Sequence, residues 1–561
     1  EISECLVGSE MCIRDSTNPN KLHSPDLAGN PEHMGNLQGC RIPSLLMAHS
    51  HDESTPHTLL AIADIGNDSA DWGKVDIGLR RSFDNGKTWT SPVQTILSLP
   101  AHHAPQEFHD WHSAFYIDAV TTQAKNGELV MLVDMWPECK GLHASSYLEE
   151  GTGYKLIDGT YYQVLYSGDS KVTDESIESF GDAYTIREDG WIYDAKNQKT
   201  RYYIPQHHHA DHRYITMGDM YYAVGEGDYI HKCPPLVPLD PSLDPTTPHD
   251  IYVGNIYLNY HKPHFDPEHP VFVQKRHITV PDSLYETYET DPAPLRAAVT
   301  SYLWVTRSTD LGATWSQPYD ITPQVKVDSD GAFLGTGPGT GLTLKHQSNP
   351  TRNGRIIMPV YALDKAAAIY SDDNGYTWHR SDTNGNRYMN NIDECQLIEL
   401  LNGDIISFGR QYTKGKTPIS ISHDGGETWS EQQTTDLISV RCQKSVITYP
   451  VDTFPYPEQM QQGKQYVLSS HPTGNAPLDA SRTNGVISLG EVQEDGTIHW
   501  IRERSLNFSP NPYENVKGYE RFFGYSSLAV LENGHIGILY EPQPNNCIVF
   551  TSFDLNWLFE A

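Results

Sequence analysis

Short apolar runs broken by turn residues dominate the chain. Val75-Asp-Ile-Gly-Leu79, Tyr161-Tyr-Gln-Val-Leu-Tyr166, Gly190-Trp-Ile-Tyr193, Tyr302-Leu-Trp-Val305 and Cys547-Ile-Val-Phe-Thr551 are strand-like, rich in β-branched and aromatic side chains. No long amphipathic helical stretch or coiled-coil repeat interrupts them, and no apolar run approaches the length of a transmembrane helix. The pattern predicts an all-β chain. Residues 41–141 alternate strands and turns, and 299–561 do so again; 142–298 are rich in Tyr, Pro and His and read as a β-rich insertion with long loops.

One eight-residue pattern punctuates these runs four times. It occurs as Ser82-Phe-Asp84-Asn-Gly86-Lys-Thr88-Trp89, Ser308-Thr-Asp310-Leu-Gly312-Ala-Thr314-Trp315, Ser371-Asp-Asp373-Asn-Gly375-Tyr-Thr377-Trp378 and Ser422-His-Asp424-Gly-Gly426-Glu-Thr428-Trp429. Each copy fits S-x-D-x-G-x-T-W, the Asp-box. Asp bonds backbone N–H groups ahead of it, Gly supplies a positive φ, and Thr-Trp re-enters a strand with a large ring to bury. The copies therefore read as strand–turn–strand staples rather than catalytic groups. Their starts lie 226, 63 and 51 residues apart. The last two spacings approach one four-stranded propeller blade of roughly 40–50 residues. The first is far too long, so residues have been inserted between Trp89 and Ser308. The expected architecture is a six-bladed β-propeller formed by 38–141 and 299–561, with 142–298 as the inserted β-rich region and 1–37 as a lead-in.

Composition narrows the partners. The 561 residues carry 72 acidic against 40 basic side chains, net −32. That balance argues against nucleic acid, whose binding requires phosphate neutralisation. An anionic substrate would need a local cluster of Arg within an acidic surface. The eight cysteines show no CxxC pair and read as buried thiols. The histidine runs at 101–104 and 205–212 lack a matching ligand geometry and read as solvated loops, so no metal site is expected. Residues 1–16 share no pattern with the rest and read as a sequence-assembly artefact. No signal peptide is visible, yet a secreted, periplasmic or cell-surface location is expected.

Arg41-Ile-Pro43-Ser-Leu-Leu46 resembles the RIP motif that opens the catalytic domain of the bacterial exo-sialidases, and further matches follow in chain order. Asp71-Trp-Gly73 precedes the first Asp-box, where that family carries its acid/base aspartate. Asp134-Met-Trp-Pro-Glu-Cys-Lys-Gly141 and Gly335-Thr-Gly-Pro-Gly-Thr-Gly341 look like further stretches of large bacterial sialidases. Glu394, Arg410, Arg482 in Arg482-Thr-Asn-Gly485 and Tyr525 in Phe523-Gly-Tyr-Ser-Ser-Leu528 match the family's glutamate, second and third arginines and tyrosine. The resemblance spans about residues 38–560.

It implies a retaining exo-α-sialidase acting on sialylated glycans, glycoproteins or glycolipids without a cofactor. Arg41, Arg410 and Arg482 would converge on the sugar carboxylate with charge-assisted bonds. A carboxylate nucleophile would be repelled by that substrate, whereas a phenol activated by a base is not. Tyr525 would attack, Glu394 would take its proton, and Asp71 would serve as acid and then base. Asp118 and Tyr370 are expected to touch the sugar or line the pocket, and Trp136 to border it or pack a blade. The arginine that many relatives carry shortly before the aspartate is missing from Ala63-Asp-Ile-Gly-Asn-Asp-Ser-Ala-Asp71, so recognition around C4 is expected to differ, through Asp64, Asn67 or Asp68. Two rival readings remain: an intramolecular trans-sialidase yielding a 2,7-anhydro sugar, and a non-catalytic sialoside-binding propeller.

Overall fold

The computed structural model of the chain describes residues 39–52, 54–66, 75–99, 114–137, 151–167, 184–209, 213–216, 218–224, 249–257, 295–298, 300–362, 365–381, 389–475, 480–506, 521–542 and 548–560. Six antiparallel sheets form the blades of a propeller. The first contains Gly39–Ala48, Thr58–Gly66, Val75–Ser82 and Gln94–Leu97 in chain order. The second contains Phe115–Gln123, Leu129–Trp136, Tyr302–Ser308 and Tyr319–Asp320. The third is built on Ile356–Ala362, Lys365–Ser371 and His379–Arg380, with an inner strand split into Gly335–Thr336 and Leu342–Thr343. Ile392–Glu399, Ile405–Gln411, Gly415–Ser422 and Gln433–Ser439 make the fourth, and Ser445–Tyr449, Tyr466–Pro472, Gly485–Val492 and Ile498–Ser505 the fifth. Ser526–Val530, Ile536–Tyr540 and Val549–Phe553 make the sixth.

The long gap between the first two Asp-boxes opens inside the second blade. Leu129–Trp136 pairs directly with Tyr302–Ser308, so the chain leaves the blade after its second strand and returns as its third. Among the described residues in between, strands from Thr160–Ser167 to Leu295–Ala297 pair into a sheet of their own.

Each Asp-box occupies the turn from the third to the fourth strand of blades one to four. The internal bonds repeat: Gly86 N–H donates to Ser82 Oγ at 2.8 Å, Thr88 N–H to Asp84 Oδ1 at 2.8 Å, and Thr88 Oγ1 to Asp84 Oδ2 at 2.7 Å. Ser308, Asp310 and Thr314 reproduce them. The box glycines have φ between 83° and 89°. They also pack on the preceding blade. A Cβ on Gly86 would lie 2.2 Å from Phe550 Cε1 in blade six, on Gly312 2.4 Å from Leu60 in blade one, and on Gly426 2.5 Å from Ile357 in blade three. The boxes therefore lock neighbouring blades together as well as closing their own turns.

Ring closure rests on the first and last blades. Leu45 N–H donates to Ser527 Oγ at 2.9 Å, and Leu45, Leu59 and Ala61 share an apolar cluster with Leu539, Ile548 and Phe550. Near the axis the glycine-rich stretch 335–341 crosses between blades. Gly339–Thr340 runs parallel to Val120–Thr121, and a Cβ on Gly337 would stand 2.6 Å from the Cys395 carbonyl. Only glycine permits that approach.

Gly426→Ala is expected to destabilise the protein by about 1–3 kcal/mol, combining the positive-φ penalty with overpacking against Ile357. Gly463 shares the positive φ but faces open space, so Gly463→Ala is expected to cost only about 1 kcal/mol. Thermal or denaturant unfolding of both variants checks the inter-blade contact; equal losses would refute it.

Candidate active site

Every inner strand starts at one end of the propeller, and every Asp-box strand finishes at the other. Three inner strands are irregular at the starting end. Register shifts fall between Arg41 and Ser44, between Ile117 and Val120, and between Ile392 and Cys395. Ile42, Asp118 and Asn391 there have φ of 56°, 63° and 56°. A bulge re-aims side chains that strict alternation would send to opposite faces. It turns both Asp393 and Glu394 toward Arg410.

The centre is a phenol held between a carboxylate and a guanidinium. Tyr525 Oη donates to Glu394 Oε1. Arg410 Nη1 donates to Tyr525 Oη at 2.5 Å and to Glu394 Oε2 at 2.5 Å. Arg410 Nε also lies 3.6 Å from Asp393 Oδ2. The Arg410 and Arg482 guanidinium carbons stand 5.6 and 5.3 Å from the Tyr525 ring centre. Burial pushes the Tyr525 phenol well above its usual pKa; Arg410 opposes this, and the Glu394 charge adds to it. The resting phenol is therefore neutral. Burial works against the charge on Arg410, but Glu394, Tyr525 and Asp393 outweigh it and hold the guanidinium firmly protonated.

Glu541 anchors the opposite side. This carboxylate, 2% exposed, accepts the Ile42 N–H at 2.9 Å and the Tyr525 N–H at 3.2 Å, and its Oε1 lies 3.9 Å from Arg41 Nε. A Cβ on Gly524 would fall 2.2 Å from Glu541 Oε2, so glycine is required beside Tyr525. Arg482 reaches the site on a turn whose carbonyl accepts the Phe523 N–H at 2.8 Å, two residues before Tyr525. Its Nε donates to the Arg441 carbonyl at 3.3 Å. The Cys442 thiol is buried in this cluster, and burial raises its pKa to about 11.

The described sequence candidates divide clearly. Glu394, Arg410 and Tyr525 are in direct contact. Arg482 lies over the Tyr525 ring, and Arg41 meets the same Glu541 that holds the Tyr525 backbone. Asp118 borders the cluster, its N–H donating to both Asp64 oxygens at 3.2 and 3.3 Å. Asp64 is buried and holds the Asp118 bulge. Asp71, with Asn67 and Asp68, lies outside the described residues. Trp136 is buried in a stack between Phe115 and Phe333, which is a packing position. Tyr370 is a correction. It directly precedes Ser371 of the third Asp-box, at the far end of the propeller, under Arg355 and beside His379. Tyr361, on the adjacent strand, packs with Tyr525 instead.

Sequence reasoning missed Glu541, Asp393 and Tyr361. The only signals were an acid closing the apolar strand Ile536–Tyr540 and the unusual adjacency Asp393-Glu394.

Comparison with known proteins points to sialidases. Residues 270–538 match the BNR repeat-like domain family. The chain is 27% identical to an anhydrosialidase of Macrobdella decora over 523 residues, 89% of this chain and 57% of the relative. It is 26% identical to sialidase B of Streptococcus pneumoniae, over 83% of this chain and 57% of the relative. It thus spans less than two thirds of the length of these curated relatives. Its fold resembles that of the intramolecular trans-sialidase from Ruminococcus gnavus, with a TM-score of 0.64 at 24% identity, covering 95% of this chain and 97% of that one. The chain thus resembles the sialidases in sequence and shares their propeller fold.

Proposed function

We propose that the chain is a retaining exo-α-sialidase that removes terminal sialic acids from glycoconjugates through a tyrosyl-linked intermediate. The observation that carries this reading is the Tyr525 hydroxyl held between Glu394 and Arg410. Arg41, Arg410 and Arg482 receive the substrate carboxylate, whose charge compensates guanidiniums that are otherwise paired with Glu394, Asp393 and Glu541. Once Arg410 turns to the substrate, Glu394 is free to accept the phenolic proton as Tyr525 Oη attacks the anomeric carbon. The proton path is already a hydrogen bond, which satisfies the geometric requirement for a general base. Asp71 protonates the leaving oxygen and then deprotonates the incoming water. Asp118 faces the sugar from its bulge.

A second reading is intramolecular transfer, in which a hydroxyl of the bound sugar replaces water and a 2,7-anhydro sugar leaves. The similarity to the leech anhydrosialidase favours it. Proton NMR of the product from a sialyl-oligosaccharide separates the two: free sialic acid supports hydrolysis, the anhydro sugar supports transfer, and neither leaves a binding propeller.

Tyr525→Phe removes the nucleophilic oxygen and adds no bulk. It is expected to lower release of 4-methylumbelliferone from an aryl sialoside by roughly 10²–10⁴-fold while sialoside binding persists. Near-normal turnover would contradict the assignment.

Glu541→Gln is expected to lower kcat/KM by roughly 10- to 100-fold, because a buried charge-assisted contact is weakened at both Arg41 and the Tyr525 backbone. Steady-state kinetics alongside a thermal melt checks this; a loss explained wholly by unfolding would remove Glu541 from the site.

A further inference from the structure

The outer strands Gln433–Ser439 and Ile498–Ser505, of the fourth and fifth blades, flank an open cleft of about 540 Å³. That volume is in the range of small-molecule sites. Trp500 lines the cleft, and its indole N–H donates to Thr435 Oγ1 at 2.8 Å across the blade boundary. A register shift opposite Leu489 and Gly490 inserts Ile501 as an extra residue and aims Trp500 toward the fourth blade. A Cβ at position 490 would come within 3.1 Å of the indole, so glycine there gives the ring its seat.

The walls are chemically mixed. Lys414, Asp436, Arg502, Glu503 and Asn475 line the cleft, with Glu503 accepting from Ser488 Oγ at 3.2 Å. Two acids and two bases balance in this lining. The cleft also draws on segments that carry the candidate active site. Lys414 follows Arg410 by four residues, in the turn that leaves the same strand. The Gly474 N–H donates at 2.9 Å to the carbonyl of Thr483, the neighbour of Arg482. An indole accepts the apolar C–H face of a pyranose, while hydroxyls, each donor and acceptor, suit mixed polar walls.

We propose that this cleft binds the neutral hexose or N-acetylhexosamine units of the glycan whose terminal sugar enters the arginine site. The proposal rests on the sialidase reading for its substrate, but its test does not. N-acetyllactosamine, which lacks sialic acid, is titrated into wild type, Trp500→Ala and Glu503→Gln and followed by saturation-transfer NMR. In parallel, KM is measured for a sialylated oligosaccharide and for an aryl sialoside with no further sugar.

The expected result is millimolar N-acetyllactosamine binding to wild type, weakened at least about fivefold in each variant. KM should rise by a similar factor for the oligosaccharide only. Absence of N-acetyllactosamine binding to wild type, unaltered binding in both variants, or equal changes on both substrates would overturn the proposal. Glu503→Gln retains the side-chain volume and decides the matter if Trp500→Ala fails to fold. If wild type turns over neither sialoside, the sialidase reading fails, while the N-acetyllactosamine titration still decides the cleft.

Discussion

A guanidinium taken out of water costs several kcal/mol unless carboxylates meet it with good geometry. That constraint organises the centre of this propeller. Arg410 is met by Glu394 and Asp393, and Arg41 by Glu541. The same carboxylates fix Tyr525, Glu394 through the hydroxyl and Glu541 through the backbone N–H. Charge compensation and positioning of the phenol are thus one network.

The two ends of the propeller perform different work with different irregularities. At one end, bulges in the inner strands give up ladder bonds to turn Arg41, Asp118 and the Asp393-Glu394 pair toward the axis. At the other, the Asp-boxes close each turn with side-chain bonds and press glycine against the preceding blade. Regular strands connect the ends, so the strained backbone of the site is carried by a frame whose blades are interlocked away from the chemistry. Asp134 belongs to this frame. Burial, with the Asp118 charge second, raises its pKa well above the usual range, and its Oδ1 accepts the Thr336 N–H at 3.0 Å to hold the glycine-rich crossing.

Much of this was legible in the sequence because it resides in motifs. Asp and Gly at fixed offsets specify a turn wherever they occur, so the boxes announced blades, and their uneven spacing exposed the insertion. Arg41, Glu394, Arg410, Arg482 and Tyr525 were singled out through resemblance, and the structure brings Glu394, Arg410 and Tyr525 into direct contact. Tyr370 was misread because its place along the strand, one residue from Ser371, decides which end of the propeller it occupies, and residue type alone does not report that. Glu541 and Asp393 carry no motif; an acid becomes a positioning group only when a neighbouring blade supplies an arginine. Alternation would also have sent Asp393 and Glu394 to opposite faces, and only the bulge brings both to Arg410.

The central claim is that Tyr525 forms the bond to the sugar. A 2,3-difluoro sialic acid slows both formation and breakdown of the glycosyl-enzyme and allows it to accumulate. Peptide mapping by mass spectrometry after incubation with this probe tests the claim most directly. The account predicts one added sugar on the peptide containing Tyr525, absent in Tyr525→Phe. A sugar on Glu394 or another carboxylate, or turnover of sialosides with no covalent adduct under any trapping condition, would contradict it.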